Sequence, residues 1–350
     1  MKRALAPLLS AALLLGAVYG GYRSYVHNSP GVTVLKGVIG SEKAEFFADP
    51  DVIAALERRG LRVTAETAGS RDIATRALIG YDFAFPSGSA AAQQTARIAG
   101  KKAQVTEVFY TPLAVATWKK LMPTLGRAGA LKGETLNVAR LLSLAQNGKR
   151  WRDLTGSPYR SARTVLVSTT DPRTSSSAAA FLGVAAFTQN REQVPDARNV
   201  PGLLPKLRPL FALQGYQDAT SQGPFEDYLA IGMGKAPLVL VYEAQFITAG
   251  RAGRLSSGMR LVYPTPNTYT RHALVSLSDG GQRLAQAMTE PELQVLAAKH
   301  GWRTLDPKVF TAAMQSGNTN TSAKDTGDAV DLPAAPVLDA LVQGVTGGTQ

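Results

Sequence analysis

The chain has 350 residues, 45% hydrophobic and 18% charged, which is a globular rather than a disordered composition. Its net charge of +12 comes in isolated pairs such as Lys101-Lys102, Lys119-Lys120 and Lys149-Arg150, not in a run interleaved with aromatics, so no nucleic-acid partner is expected. Cysteine is absent, which excludes disulfides, thiol nucleophiles, cysteine-ligated zinc and a lipid-modified N-terminal cysteine.

Met1-Lys2-Arg3 precedes an uncharged, mostly apolar stretch from Ala4 to Gly21, closed by Arg23. That is the pattern of an export signal. Its length also suits a bilayer span, which needs ~17–25 residues. Residues 1–23 are therefore read as a signal peptide or an uncleaved anchor that contacts the membrane, and 24–31 as a linker. The rest is expected at the extracellular or periplasmic face.

Val32 to Ile39 is a β-rich run ending in Gly40-Ser41-Glu42-Lys43. Asp49 and Pro50 then suit the N-cap and first position of a helix that Gly60 stops. Leu61 to Glu66 alternates as a second strand, followed by Ala68-Gly69-Ser70-Arg71 and a helix over 72–78. A third strand, Tyr81 to Phe85, ends in Pro86-Ser87-Gly88-Ser89, and another helix leads to a fourth, Gln104 to Tyr110. Strand, turn and helix in repetition predict crossover units and mostly parallel sheets flanked by helices, an α/β class. Ligands of such sheets sit at the carboxyl ends of the strands, which is where these small, hydroxyl-bearing turns fall.

The second half repeats the theme. Leu113 to Trp118 is apolar and extended, and a helix-rich segment follows in which Trp151 suits a core. Thr164 to Ser168 reads as a strand that hands over, through Thr169 to Ser177, to an apolar helix. Pro237 to Glu243, Met259 to Tyr263 and His272 to Leu277 read as further strands, and Gly280 to Lys299 as two helices. From about 316 the Thr-, Ser-, Asn- and Asp-rich composition predicts a flexible tail, although Val337 to Val342 has room for a short helix.

Taken in order, GSEK (40–43), TAGS (67–70), YDFAFPSG (81–88), STTDPRTSSS (168–177), VLVYEAQF (239–246) and LVYPTPNTYTRHALVSL (261–277) resemble bacterial extracellular solute-binding proteins of the type 2 periplasmic-binding fold. The resemblance spans most of 32–305. It implies two α/β lobes joined by a two-strand hinge, with lobe 1 from 32–112 plus 263–315 and lobe 2 from 113–262. It further implies a small-molecule or anion ligand trapped between the lobes, and an ABC permease or another envelope protein as partner. No cofactor or metal is expected.

The residues in the matching positions are Ser41, Ser70, Ser87, Thr174, Ser175, Ser176 and Ser177, with Arg71 able to add a charge-assisted contact and Tyr242 near the cleft. Each of these side chains has a plainer explanation: Ser70, Thr174 or Ser175 as a helix cap, Tyr242 as interlobe packing, Arg71 as a solvated charge or an ion-pair partner. Glu42 and Glu243 would repel a phosphate or sulfate unless each pairs with a base, and would otherwise suit a cationic ligand or a protonated oxyanion. Catalysis is not expected. The chain has three histidines, His27, His272 and His300, and no nucleophile elbow, zinc-protease motif or phosphate loop. Two functions therefore stand: solute capture for ABC-type uptake, or a membrane-anchored envelope sensor or interaction module on the same fold.

Overall fold

The structure is a computed structural model that describes residues 31–214, 218–316 and 329–347. The expected signal or anchor lies outside the described residues. Among the described residues ten strands form the framework: β1 (Thr33–Gly40), β2 (Leu61–Ala68), β3 (Phe83–Phe85), β4 (Gln104–Trp118), β5 (Leu131–Lys132), β6 (Thr135–Asn137), β7 (Val239–Tyr242), β8 (Met259–Thr265), β9 (Tyr269–Ser276) and β10 (Arg303–Thr304). Their hydrogen-bonded order is β2-β1-β3-β9-β4-β8-β6-β5, with β7 and β10 also pairing to β4. β1 runs parallel to β2 and β3, as strands joined by helical crossovers do.

The long β4 joins the two lobes. Its first part pairs with β9 and β10, and its second part with β7 and β8. The sequence breaks this strand at Thr111-Pro112, but the register with β9 continues through Pro112↔Tyr269. β8 and β9 carry the chain back, so β4 and the β8–β9 passage are the two connections. The apolar clusters separate accordingly. Leu35, Phe46, Phe83, Phe109, Leu284 and Trp302 share one core, whereas Leu113, Leu141, Trp151, Val165, Phe181 and Leu240 share another.

Three local readings differ from the sequence expectation. The helix after β2 is only Ser70–Ile73, and just beyond it the Thr75 hydroxyl bonds the Asp72 carbonyl, a local alternative to helical pairing. The run 164–168 forms only single bridges, Arg150↔Thr164 and Ser168↔Val239, rather than a strand. The expected tail over 316–350 does not hold for residues 329–347. There the helix Ala335–Thr346 buries Leu338, Leu341, Val342 and Val345, an i, i+3, i+4, i+7 stripe, against lobe 2. It packs mainly on the helix Val200–Ala212, and also on the helix Ser176–Gln189, whose residues Ser177 to Ala186 are all buried.

Candidate functional site

Every strand-end turn singled out from the sequence reaches one place. A narrow crevice is lined by Ser41, Glu42, Ser70, Ser87, Ser175, Ser176, Ser177 and Tyr242, together with Ala68, Gly69, Thr220 and Ser221. Ser41 follows β1, Ser70 follows β2, and Ser87 follows β3. The three are placed side by side because those strands are parallel neighbours. Ser175 to Ser177 come from lobe 2, at the start of the helix Ser176–Gln189, and Tyr242 ends β7.

None of the serines is a side-chain cap. Gly69 and Ser175 are the N-cap residues of their helices, and neither makes a side-chain capping bond. The Ser70 hydroxyl instead lies 2.8 Å from the Ser87 hydroxyl and accepts the Ser87 backbone N–H at 2.8 Å. Ser175 and Ser177 pair through their hydroxyls at 3.0 Å. The Ser41 hydroxyl is buried and has no hydrogen-bond partner among the described residues. A buried hydroxyl left without a partner costs free energy, so a ligand oxygen at this point would recover a bond.

Across the crevice, the Tyr242 hydroxyl lies 3.2 Å from the Ser87 hydroxyl. Burial raises the Tyr242 phenol above its ordinary range, and the nearby Glu42 charge raises it further, so it stays protonated and able to donate. The lobes also meet through backbone: Arg71 N–H donates to the Thr174 carbonyl at 2.9 Å. Gly69 makes that approach possible. Its φ of −65° and ψ of 137° suit any residue, but a Cβ there would come within 2.5 Å of the Thr174 carbonyl oxygen and 2.7 Å of the Ala219 carbonyl oxygen.

Behind the crevice stands a charged cluster that the sequence reading missed. Lys43 Nζ pairs with Glu42 Oε1 at 2.5 Å, and the two side chains are 0% and 4% exposed. Burial pulls the Lys43 ammonium below its usual value, while Glu42 acts in the opposite direction. His272 is fully buried among Phe109, Tyr242 and Trp302. Its Nδ1 lies 3.5 Å from Glu42 Oε1, yet neither ring nitrogen forms a hydrogen bond. Burial, then the Lys43 charge, holds His272 well below its ordinary pKa, so we take it as a neutral ring packed against the pair rather than as part of an ion pair.

Three of the expected site residues do not line the crevice. Glu243 is bound to the Arg303 guanidinium at 2.8 and 3.0 Å and accepts the Tyr263 hydroxyl at 2.6 Å. Arg71 is drawn away to Asp339 of the C-terminal helix at 2.6 Å. The Thr174 hydroxyl bonds the carbonyls of Asp171 and Ala219. Conversely, Thr220 and Ser221 do line it, and their signal in the sequence was the same one: hydroxyls just ahead of the helix Gln222–Ala230.

This geometry has counterparts among solved structures. A periplasmic thiamin binding protein covers 92% of this chain and 98% of its own, at 13% identity and a TM-score of 0.59. Iron-bound HitA from Pseudomonas aeruginosa covers 90% and 99%, at 14% identity and a TM-score of 0.58. The sulfate-binding protein SubI from Mycobacterium tuberculosis H37Rv covers 81% and 91%, at 16% identity and a TM-score of 0.56. The fold is that of the type 2 periplasmic binding proteins. No protein-family model matches the chain, and no curated protein matches it in sequence. In a periplasmic-binding fold the crevice described above is the interlobe cleft, and the lobes here are closed upon it.

Proposed function

We propose that the protein is an exported solute-binding protein that traps a small oxyanion between its lobes and presents it to an ABC-type permease. The observation that carries this reading is the convergence of hydroxyls from both lobes on one crevice, with the Ser41 hydroxyl buried there and unpartnered. The start of the 14-residue helix Ser176–Gln189 opens on the same space, and a helix N-terminus favours negative charge. The carboxylate objection is met by pairing: Glu243 is held by Arg303 away from the crevice, and Glu42 is held by Lys43. Sulfate and phosphate appear in the names of structural counterparts, which supports the same class.

The trapping mechanism needs only two rigid halves and a hinge. Ligand oxygens would accept from Ser41, Ser70 or Ser87 on lobe 1 and from Ser175 to Ser177 on lobe 2, so binding to both favours closure. A thermal-shift panel of sulfate, phosphate, molybdate, amino acids, sugars and thiamine tests the reading. A true ligand at 100 times its dissociation constant adds about 2.7 kcal/mol of stability. Stabilisation by one oxyanion and not by the other classes is expected. Stabilisation by a sugar or an amino acid instead would refute the oxyanion assignment, and no stabilisation by any member would favour the envelope sensor.

A further inference from the structure

The basic charge of this protein is not evenly spread. Residues 113–262 carry 19 Lys and Arg against nine Asp and Glu, whereas the rest of the chain carries 19 against 17. Much of the excess gathers at one end of lobe 2. β4 ends there at Trp118, where β8 begins opposite it at Met259, and the Trp118 indole donates to the Ala236 carbonyl just ahead of β7. The Arg163 guanidinium reaches the Lys235 carbonyl at 2.7 Å, and Trp151 N–H bonds the Arg163 carbonyl. Arg127 reaches the carbonyls of Thr155 and Gly156. This pole lies at the end of the lobe-2 strands opposite the hinge, because β4 enters the lobe from β9 and β10 and runs toward it.

The partners of the arginines differ between lobe 1 and this pole, while elsewhere on lobe 2 Arg173, Arg198 and Arg254 pair with carboxylates. On lobe 1, guanidinium groups meet carboxylates: Arg58 and Arg59 with Glu292, Arg62 with Glu57, Arg76 with Asp72 and Glu66, and Arg271 with Glu107. At the lobe-2 pole they meet carbonyls: Arg127, Arg163 and Arg260 each donate to backbone oxygens. A carbonyl fixes the side chain without cancelling its charge. Lys119, Lys120, Lys149 and Arg160 are exposed and form no ion pair among the described residues. The pole's own pairs are loose, Arg152 with Asp153 at 3.9 Å and Lys235 with Asp227 at 3.8 Å. At the same pole, next to Gly232, which abuts the Trp118 indole, Ile231 is 63% exposed.

We propose that this pole docks on an anionic lipid bilayer, with Lys119, Lys120, Lys149 and Arg160 at the headgroups and Ile231 entering the acyl boundary. Fixed positive charge without local counter-charge favours a polyanionic surface over water. An exposed aliphatic side chain among the cations separates a bilayer from a soluble polyanion, because only the bilayer offers apolar volume to it. Among the described residues the large exposed hydrophobic side chains include no aromatic, so no stacking platform for single-stranded nucleic acid accompanies the charge there. Docking at this pole leaves the interlobe crevice free, so it is independent of the ligand reading.

Vesicle co-sedimentation of the full chain tests the proposal, with the N-terminal apolar segment present in every variant so that its contribution cancels. Vesicles of phosphatidylcholine with a third phosphatidylglycerol are compared with phosphatidylcholine alone. The variant Lys119→Glu/Lys120→Glu/Lys149→Glu/Arg160→Glu should lose more than about tenfold in partitioning to anionic vesicles, given how strongly each basic residue near such a surface contributes. Ile231→Ser should weaken vesicle binding several-fold and leave retention by soluble polyphosphate unchanged. The lobe-1 control Lys101→Glu/Lys102→Glu should bind as wild type does. The proposal fails if the quadruple variant partitions like wild type while its melting profile is intact, or if the control loses as much. It also fails if polyphosphate retains the protein while anionic vesicles do not.

Discussion

The Ser70 hydroxyl sits 2.8 Å from both the hydroxyl and the backbone nitrogen of Ser87, tying the end of β2 to the end of β3 inside the protein. The two bonds are not equivalent. Ser70→Ala strips the Ser87 amide and hydroxyl of a buried partner together, whereas Ser87→Ala leaves the amide bond intact. An unsatisfied buried donor costs about 1–3 kcal/mol. Ser70→Ala should therefore destabilise by about that amount and more than Ser87→Ala, measured by urea denaturation. Equal losses would mean that the amide bond contributes little.

Gly69 lines the crevice through its backbone, so it tests the closed arrangement without removing a hydroxyl. Its backbone conformation is open to any residue, so Gly69→Ala brings no strain within lobe 1. Only the approach of Thr174 and Ala219 leaves no room for a methyl. The stability of the variant should stay within ~1 kcal/mol of wild type, since Ala in place of Gly also narrows the unfolded ensemble. Its radius of gyration by small-angle scattering should increase, and the affinity for any ligand of the crevice should fall by more than about tenfold, because closure accompanies capture. A variant as compact as wild type would show that the contact is dispensable.

His272 predicts how stability depends on pH. Its folded-state pKa is lowered by burial and then by Lys43. The unfolded chain therefore binds a proton that the folded chain refuses in the window below the ordinary value of about 6.5. With more protons on the unfolded state, stability must fall as pH drops through that window, by up to about 1.4 kcal/mol per pH unit for one group, and level off above it. His272→Phe, in a cage of Phe109, Tyr242 and Trp302, should fold and lose this slope. Thermal melts between pH 5 and 7.5 measure it. A slope unchanged in the variant would assign the effect to other groups.

The strand–turn–helix units could be read because each one is local: an apolar run, a small-residue turn, then a capped or apolar helix. Placement of Ser41, Ser70 and Ser87 beside one another follows from parallel pairing of those units. What escaped depends on direction or on distance along the chain. Lys43 follows Glu42 immediately, and nothing in the order of residues tells that its ammonium turns inward to that carboxylate. Glu243 stood next to a cleft residue, but its partner Arg303 lies 60 residues away. The C-terminal helix is offered by the sequence only as a short one over 337–342 inside a flexible tail, since the polar stretch ahead of it dilutes the spacing of Leu338, Leu341, Val342 and Val345.

That helix also shows which of two contacts holds a terminal element in place. Asp339 reaches across to Arg71 of lobe 1, and the two side chains are 49% and 25% exposed. Leu341 is completely buried in lobe 2 beneath it. A partly exposed ion pair contributes about 0–1 kcal/mol after screening, whereas a fully buried leucine contributes about 2–5 kcal/mol against its replacement by alanine. Leu341→Ala should therefore lower stability by at least twice as much as Asp339→Ala, and proteolysis near the C-terminus should accelerate in the former only. Asp339→Ala has a different signature. It frees Arg71 beside the cleft and removes a bond that spans both lobes, so it should shift the scattering profile toward the open form while the melting temperature changes little. If Asp339→Ala destabilised as much as Leu341→Ala, the ion pair rather than the apolar stripe would be what anchors the helix.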